Sequence, residues 1–302
     1  MAHARELRWL QDTVGVLDLA DRSVISVTGD DAHEWLQGQL TNDCEGKSAG
    51  ESVYGFILTL KGRVLADTWA FFHDEGVWLD VPESQAEAVM ERLDRYIIME
   101  DVDLALEREL RWMTAQGPAS DQVVETSWPA SRLGSGGRQW LVPASELNVE
   151  LERATRAATQ QDGGWVNTDA WRFAHVVWGL PLFGQDFGDW TYPQETGLTT
   201  AAVSFNKGCY IGQETVVMLE NRGKAPKVLW QWAIETDEAP APKTPIERDG
   251  ERVGDITSAV VTDDGVLALG FLKRGHEHEN DGFAVAGAPA KPRGSVADRL
   301  RV

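Results

Sequence analysis

The run SVYGFILTLKGRVLADTWAFFHDEGVWLDVP, residues 52–82, does most to limit what this chain can fold into. It is dense in valine, leucine and aromatic residues, and two short breaks divide it, Lys61-Gly62-Arg63 and Asp74-Glu75-Gly76. Both breaks have turn chemistry, so the run reads as consecutive strands over 54–60, 64–72 and 77–81. Helical patterns stand on either side. Before it come a strand over 24–27, a turn at Gly29-Asp30-Asp31 and a short helix carrying Trp35, Leu36 and Leu40. After it, Val89, Leu93, Tyr96 and Ile97 have the spacing of an amphipathic helix. Strands in series between such helices imply an α+β fold.

The pattern then loosens, with a loop at RLGSGGRQ (132–139) and a helix after Pro143-Ala144-Ser145. A further helix is expected from Thr168 to Trp178, opened by a threonine cap and closed by Gly179, with Pro181 just beyond. Residues 184–208 start as a loop. Past the strand-like KVLWQWAIE, the proline-rich DEAPAPKTP (237–245) leads to short strands around Gly250, 253–258 and 266–272, without a helical pattern. Residues from about 224 onward therefore read as a small all-β barrel or sandwich. The expected division is an α+β region over 1–223 and a β-barrel domain over 224–302.

A length of 302 residues, 42% hydrophobic and 25% charged, suits two packed units of an ordered protein. With a formal charge of −20, non-specific wrapping on nucleic acid or an anionic membrane is not expected, because phosphate binding needs a basic surface. No run of 18 apolar residues is present, so no membrane span is expected. The opening MAHARELRWLQDTVG lacks the apolar core of a secretory signal, and the two cysteines, Cys44 and Cys209, make no disulfide framework. The expected compartment is a reducing cytoplasm.

The segment NKGCYIGQETV, 206–216, invites a chemical reading. A thiol reacts as its thiolate, which needs access and positive potential, and Lys207 offers a nearby cation to Cys209. Gly208 and Gly212 permit close backbone approach, and Gln213 and Glu214 follow as polar groups. The competing reading is a buried cysteine in a packed, glycine-flanked turn, since free cysteine is among the most buried residue types. Local chemistry leaves both open. His276 and His278 in RGHEHEN suggest a metal site or a solvated loop, and the latter reading is preferred.

KGCYIGQE, 207–214, resembles the signature of the YgfZ family, folate-binding-type proteins of iron–sulfur maintenance related to the glycine-cleavage T-protein, an aminomethyltransferase. LQGQLTND (36–43), LTLKGRVLAD (58–67), the stretch 192–216, RVGDITSAV (252–260) and LALGFLKR (267–274) resemble further family segments in the same order. The resemblance implies a T-protein-like fold, α+β domains around a central opening with a C-terminal barrel. Tetrahydrofolate is its implied ligand, and iron–sulfur client enzymes, including tRNA-modifying ones, are its implied partners. Cys209, Lys207, Gly208, Tyr210, Gly212, Gln213 and Glu214 map onto the signature and Trp178 onto part of the pterin space, while Asn42 is read either as lining the opening or as capping a helix. An alternative implied activity is one-carbon transfer to tetrahydrofolate, with Asp67 as acid, and a third is a ligand-free interaction module.

Four positions depart from the family pattern. Leu60 replaces a proline, Ala66 stands before Asp67 where the T-protein has an acidic pair, and Met218 stands where many relatives carry arginine. Val177 occupies the place of a glutamate that holds the pterin in the T-protein. A carboxylate accepts adjacent pterin N–H groups together, and losing such a charge-assisted contact costs about 1.5–3 kcal/mol. The thiol motif is intact while the pterin anchor is missing.

Overall fold

Residues 4–168, rejoined by 202–213, build one of two units in the computed structural model, which describes residues 3–222 and 225–298. Helix α1 (Ala4–Asp12) is followed by strands β1 (Gly15–Asp18) and β2 (Arg22–Thr28), helix α2 (Ala32–Gln37), strands β3 (Ser52–Leu58), β4 (Val64–His73) and β5 (Gly76–Pro82), and helix α3 (Ala86–Asp94). Then come β6 (Asp103–Leu106), β7 (Leu110–Gln116), β8 (Trp128–Pro129), β9 (Gly137–Pro143), helix α4 (Leu147–Thr159) and β10 (Gly164–Trp165).

Two five-stranded sheets result, ordered β3-β4-β5-β2-β6 and β10-β1-β7-β9-β8. The first is antiparallel throughout, and Gly76, paired with His73, closes the β4–β5 hairpin. Strand alternation decides what each face buries. Ala66, Ala70 and Phe72 of β4, with Val77, Leu79 and Val81 of β5, join Trp35, Leu36, Val89 and Leu93 from α2 and α3 in one apolar core. The intervening residues, Asp67 and Phe71 of β4 and Asp80 of β5, face the second sheet instead. There Phe71 meets Trp112 of β7 with ring centroids 4.9 Å apart, and the Trp112 indole N–H donates to the Ser23 carbonyl.

The second unit holds residues 169–201 and 214 onward. Its elements are helices α5 (Thr168–Trp178), α6 (Pro193–Thr196), α7 (Thr199–Ala202) and α8 (Gln213–Arg222), then strands β11 (Lys227–Ile234), β12 (Pro245–Arg248), β13 (Glu251–Thr262), β14 (Gly265–Lys273), β15 (Phe283–Val285) and β16 (Ala288–Ser295). These six strands close into a barrel, β11-β14-β13-β12-β15-β16, around Trp232, Ile246, Ile256, Leu272 and Phe283. The fold is thus α+β with a closed C-terminal barrel rather than a sandwich. Asp186, buried on the loop after α5, accepts hydrogen bonds from the Leu182 amide and from the Thr257 and Ser258 hydroxyls of β13.

Helix α5 has the bounds expected from its threonine start and Gly179, whose φ of 73° is the left-handed stop. The helix expected to include Leu40 ends at Gln37, because Leu40 is drawn into a bridge with Ile57. Helix α8, immediately after the signature, has no counterpart in the sequence reading. The expected boundary between 223 and 224 lies outside the described residues. Among the described residues no helix is long and apolar enough to cross a membrane.

Candidate functional site

Residues 202–213 return to the first unit as an irregular strap, and its side chains and backbone are fixed on the segment after α2. Thr41 accepts the Ser204 amide at its carbonyl and donates its hydroxyl to the Ala202 carbonyl at 2.6 Å. Lys207 Nζ then donates to three backbone carbonyls, Gln37 at 2.7 Å, Leu40 at 2.9 Å and Asn42 at 2.6 Å. Four residues on, the Ile211 amide donates to the Gly38 carbonyl at 3.1 Å. The thiol is therefore carried on a loop anchored on both sides of it. Cys209 itself is exposed, so the packed-cysteine reading does not hold for it, whereas Cys44 is the buried thiol.

Gly212 completes the anchoring by close approach. Its φ is +86°, and a Cβ there would lie 2.7 Å from the Thr59 carbonyl oxygen and 3.0 Å from Leu58 Cβ. The Thr59–Arg63 hairpin tip, the site of the Lys-Gly-Arg turn, is thus pressed on the signature and tolerates no side chain at 212. At Gly208 a Cβ would meet nothing within 4 Å, so no close approach explains that glycine. Gln213 and Glu214 open α8.

Lys207 is spent on carbonyls rather than aimed at the thiol. Burial pulls its pKa down, while Cys44 and Asp43 pull it up. Beside it, the Gln37 amide donates to Asp43 at 2.7 Å and, with the Glu45 amide, holds that carboxyl below its ordinary range. Gln37 Oε1 in turn accepts the Cys44 amide, and burial pushes the Cys44 thiol up to about 12. Tyr210 is buried beneath Lys207, whose ammonium lies 5.4 Å from the ring centroid, and burial pushes its hydroxyl up to about 12. That hydroxyl has no hydrogen-bond partner among the described residues.

Asn42 connects this region inward, its amide donating to the Tyr54 carbonyl at 2.8 Å, and Tyr54 donates its hydroxyl to Asp67 at 3.2 Å. Asp67 is not poised as an acid, however. It accepts Arg22 Nη1 at 2.7 Å in a buried cluster where Arg22 also pairs with Asp80, and Asp80 with Arg132 and Gln139. Burial opposes the charge on Arg22, yet Asp67 and Asp80 outweigh it and hold the pKa above its ordinary value. For Asp80 the burial penalty is likewise outweighed, by Arg132 and Arg22, and its pKa lies low. Arg22, Asp80, Arg132 and Gln139 escaped the sequence reading, although Asp67 and Asp80 are acids set among large apolar strand residues, which was the available signal.

In the second unit, Val177 and Trp178 are half-buried at the end of α5. The end is capped by Gln231 of β11, fully buried, whose Nε2 donates to the carbonyls of Val176 at 2.7 Å and Val177 at 2.9 Å. Gln231 Oε1 is left buried without a hydrogen-bond partner among the described residues. A tightly held pterin needs two adjacent acceptors, and here Val177 supplies none and Gln231 Oε1 one, so this end of α5 fits at most a weak contact. His276 is paired with Glu279 at 2.7 Å, and among the described residues no three metal-binding side chains cluster.

Comparison with known proteins agrees with the architecture. The model of the GCVT N-terminal domain matches residues 1–135. A solved aminomethyltransferase T of the glycine cleavage system from Bartonella henselae superposes with a TM-score of 0.83, 19% identity, and coverage of 98% of this chain and 89% of that one. The chain accordingly has the T-protein fold. Within that class its sequence is similar to proteins named YgfZ. It is 28% identical over 274 residues to the tRNA-modifying protein YgfZ of Aliivibrio fischeri strain MJ11, covering 85% of this chain and 84% of that protein. To the protein of the same name from Klebsiella pneumoniae strain 342 it is 24% identical, covering 84% and 83%.

Proposed function

We propose that this protein is an accessory factor that supports iron–sulfur cluster assembly or repair in client enzymes, tRNA-modifying enzymes among them, and acts in the cytoplasm through Cys209. The observation that carries the proposal is an exposed thiol on a strap anchored by Lys207, Ile211 and Gly212. A surface cysteine on a floating loop needs no such support. A fixed one can meet a partner's thiol or metal centre at low entropic cost. The name of the relatives, tRNA-modifying protein YgfZ, supports the choice of clients.

One-carbon transfer to tetrahydrofolate is the weaker reading. Asp67 is neutralised by Arg22, and Val177 offers no carboxylate. A folate-type molecule is retained in the proposal as a weakly held ligand, with Gln231 Oε1 and Trp178 as its candidate contacts. Lys207, Tyr210, Gly212 and Asn42 serve the strap and its support instead.

The deciding experiment compares a strain carrying Cys209→Ser with wild type for iron–sulfur-dependent tRNA modification. The proposal expects a loss; full modification sinks it. Titration of the purified protein with tetrahydrofolate, followed by tryptophan fluorescence, tests the ligand separately. Binding tighter than roughly 0.1 mM, near 5.5 kcal/mol, contradicts a weak site.

A further inference from the structure

Arg92 of α3 is a largely shielded cation that meets no acid among the described residues. Its Nε donates to the Leu58 carbonyl at 3.1 Å, its Nη1 donates to Gln39 Oε1, and the Tyr96 ring centroid lies 5.0 Å from Cζ. Nη2 is buried and has no hydrogen-bond partner among the described residues. The neighbouring Glu91 is turned away to Arg95, at 2.7 Å. Other buried arginines in the same unit are treated differently, since Arg22 and Arg132 both meet Asp80. In a chain with 48 acidic residues against 28 basic ones, acids are not in short supply.

A guanidinium has five N–H donors, and here the Nε–H and one Nη1–H are engaged. One N–H on Nη1 and both on Nη2 remain, and adjacent guanidinium donors take a carboxylate or phosphate through paired hydrogen bonds. Burial without a counter-charge pulls the Arg92 pKa down to about 10, the mark of a cation held charged at a cost.

The position matters as much as the charge. Leu58, whose carbonyl accepts Arg92, is the residue whose Cβ crowds Gly212. Gln39, the other partner, follows Gly38, whose carbonyl accepts the Ile211 amide. Arg92 thus reaches the turn after Cys209 by two separate routes.

We propose that Arg92, oriented by Gln39 and Leu58, is an oxyanion-binding site beside the signature turn that takes the carboxylate or phosphate group of a small molecule. Entry requires a side chain over the guanidinium to shift, and Tyr96, half-buried just before the exposed Ile98 and Met99, is placed to do so. The inference is independent of whether that small molecule is a folate.

The test uses the full chain and two probes, sodium phosphate and sodium glutarate, with chloride at equal ionic strength as the reference. Melting temperature is followed against probe concentration. The expected result is a saturable rise with at least one probe in the wild type, lost in Arg92→Met. Which probe works distinguishes phosphate from carboxylate as the ligand group. Arg92→Lys keeps the charge but not the fork, and should weaken the response roughly tenfold; it also serves if Arg92→Met fails to fold. No saturable rise in the wild type overturns the proposal, as does a response unchanged in either variant. A lower melting temperature in Arg92→Met with no probe effect on the wild type marks a purely structural arginine and likewise overturns it.

Discussion

Replacing Gly212 by alanine tests the anchoring of the thiol strap with a single methyl group. At φ +86° an L-residue other than glycine is disfavoured by roughly 1–2 kcal/mol. The new Cβ would also stand 2.7 Å from the Thr59 carbonyl oxygen, far inside contact distance. That carbonyl cannot yield alone, because it accepts the Gly62 amide at 2.9 Å while the Thr59 amide donates to Arg63 at 2.9 Å. Either the hairpin tip or the strap must move, an overpacking cost of about 1–3 kcal/mol. Together the two effects amount to roughly 2–5 kcal/mol. Gly208→Ala is the internal control, since its methyl meets open space, and it should stay within about 0.5 kcal/mol of wild type. Urea unfolding by tryptophan fluorescence gives the stabilities, and the rate of Cys209 alkylation by iodoacetamide in native buffer reports the strap. Gly212→Ala should be less stable and alkylate faster. The close-approach argument is refuted if it matches Gly208→Ala in both.

Other outcomes follow from the same geometry. Asp67→Asn leaves Arg22 and Arg132 facing Asp80 alone in a buried cluster, and should cost about 3–5 kcal/mol in urea unfolding; a loss under about 1 kcal/mol would show that the cluster is solvated. Lys207→Met strands three carbonyls, at a cost on the order of 3 kcal/mol, and should open the strap to limited proteolysis between residues 203 and 210; a strap as resistant as wild type counts against the anchoring. A thiol reagent at pH 8 should titrate Cys209 at once and Cys44 only after denaturation. Burial raises the Cys44 pKa in the folded state from 9.0 to about 12, so its contribution to stability is complete below pH 9 and is lost between pH 9 and 12. Cys44→Ala should flatten that alkaline decline, and an identical decline in the variant removes Cys44 as its cause.

The elements that were legible in the sequence are those governed by local chemistry. Helix α5 was bounded by a threonine and a glycine whose left-handed backbone stops it. Strands β3 to β5 were marked by dense β-formers and glycine turns, with ends shifted by no more than two residues. What the sequence hid depends on distant partners. Arg22 meets Asp67 and Asp80 across separations of 45 and 58 residues, and nothing local ties them. Lys207 was read as a cation for the thiol beside it, yet its acceptors are backbone carbonyls some 165–170 residues away, which no side-chain pattern records. The exposure of Cys209 was undecidable locally for the same reason. Helix α8 is not legible because its apolar residues, 216–219, are consecutive and lack the spacing that marks a helical face.

The late return of residues 202–213 to a unit otherwise complete by residue 168 has a consequence for biosynthesis. Chains are made from the N-terminus at about 5–20 residues per second, and domains fold as units as they emerge. The docking surface at Gln37–Asn42 and the 58–62 hairpin can therefore be in place several seconds before Lys207 leaves the ribosome. Until the strap arrives, the carbonyls of Gln37, Leu40 and Asn42 lack the Lys207 ammonium that joins them. Display of the thiol is then the closing event in maturation of this unit, and a chain arrested before the strap carries the platform without its reactive group.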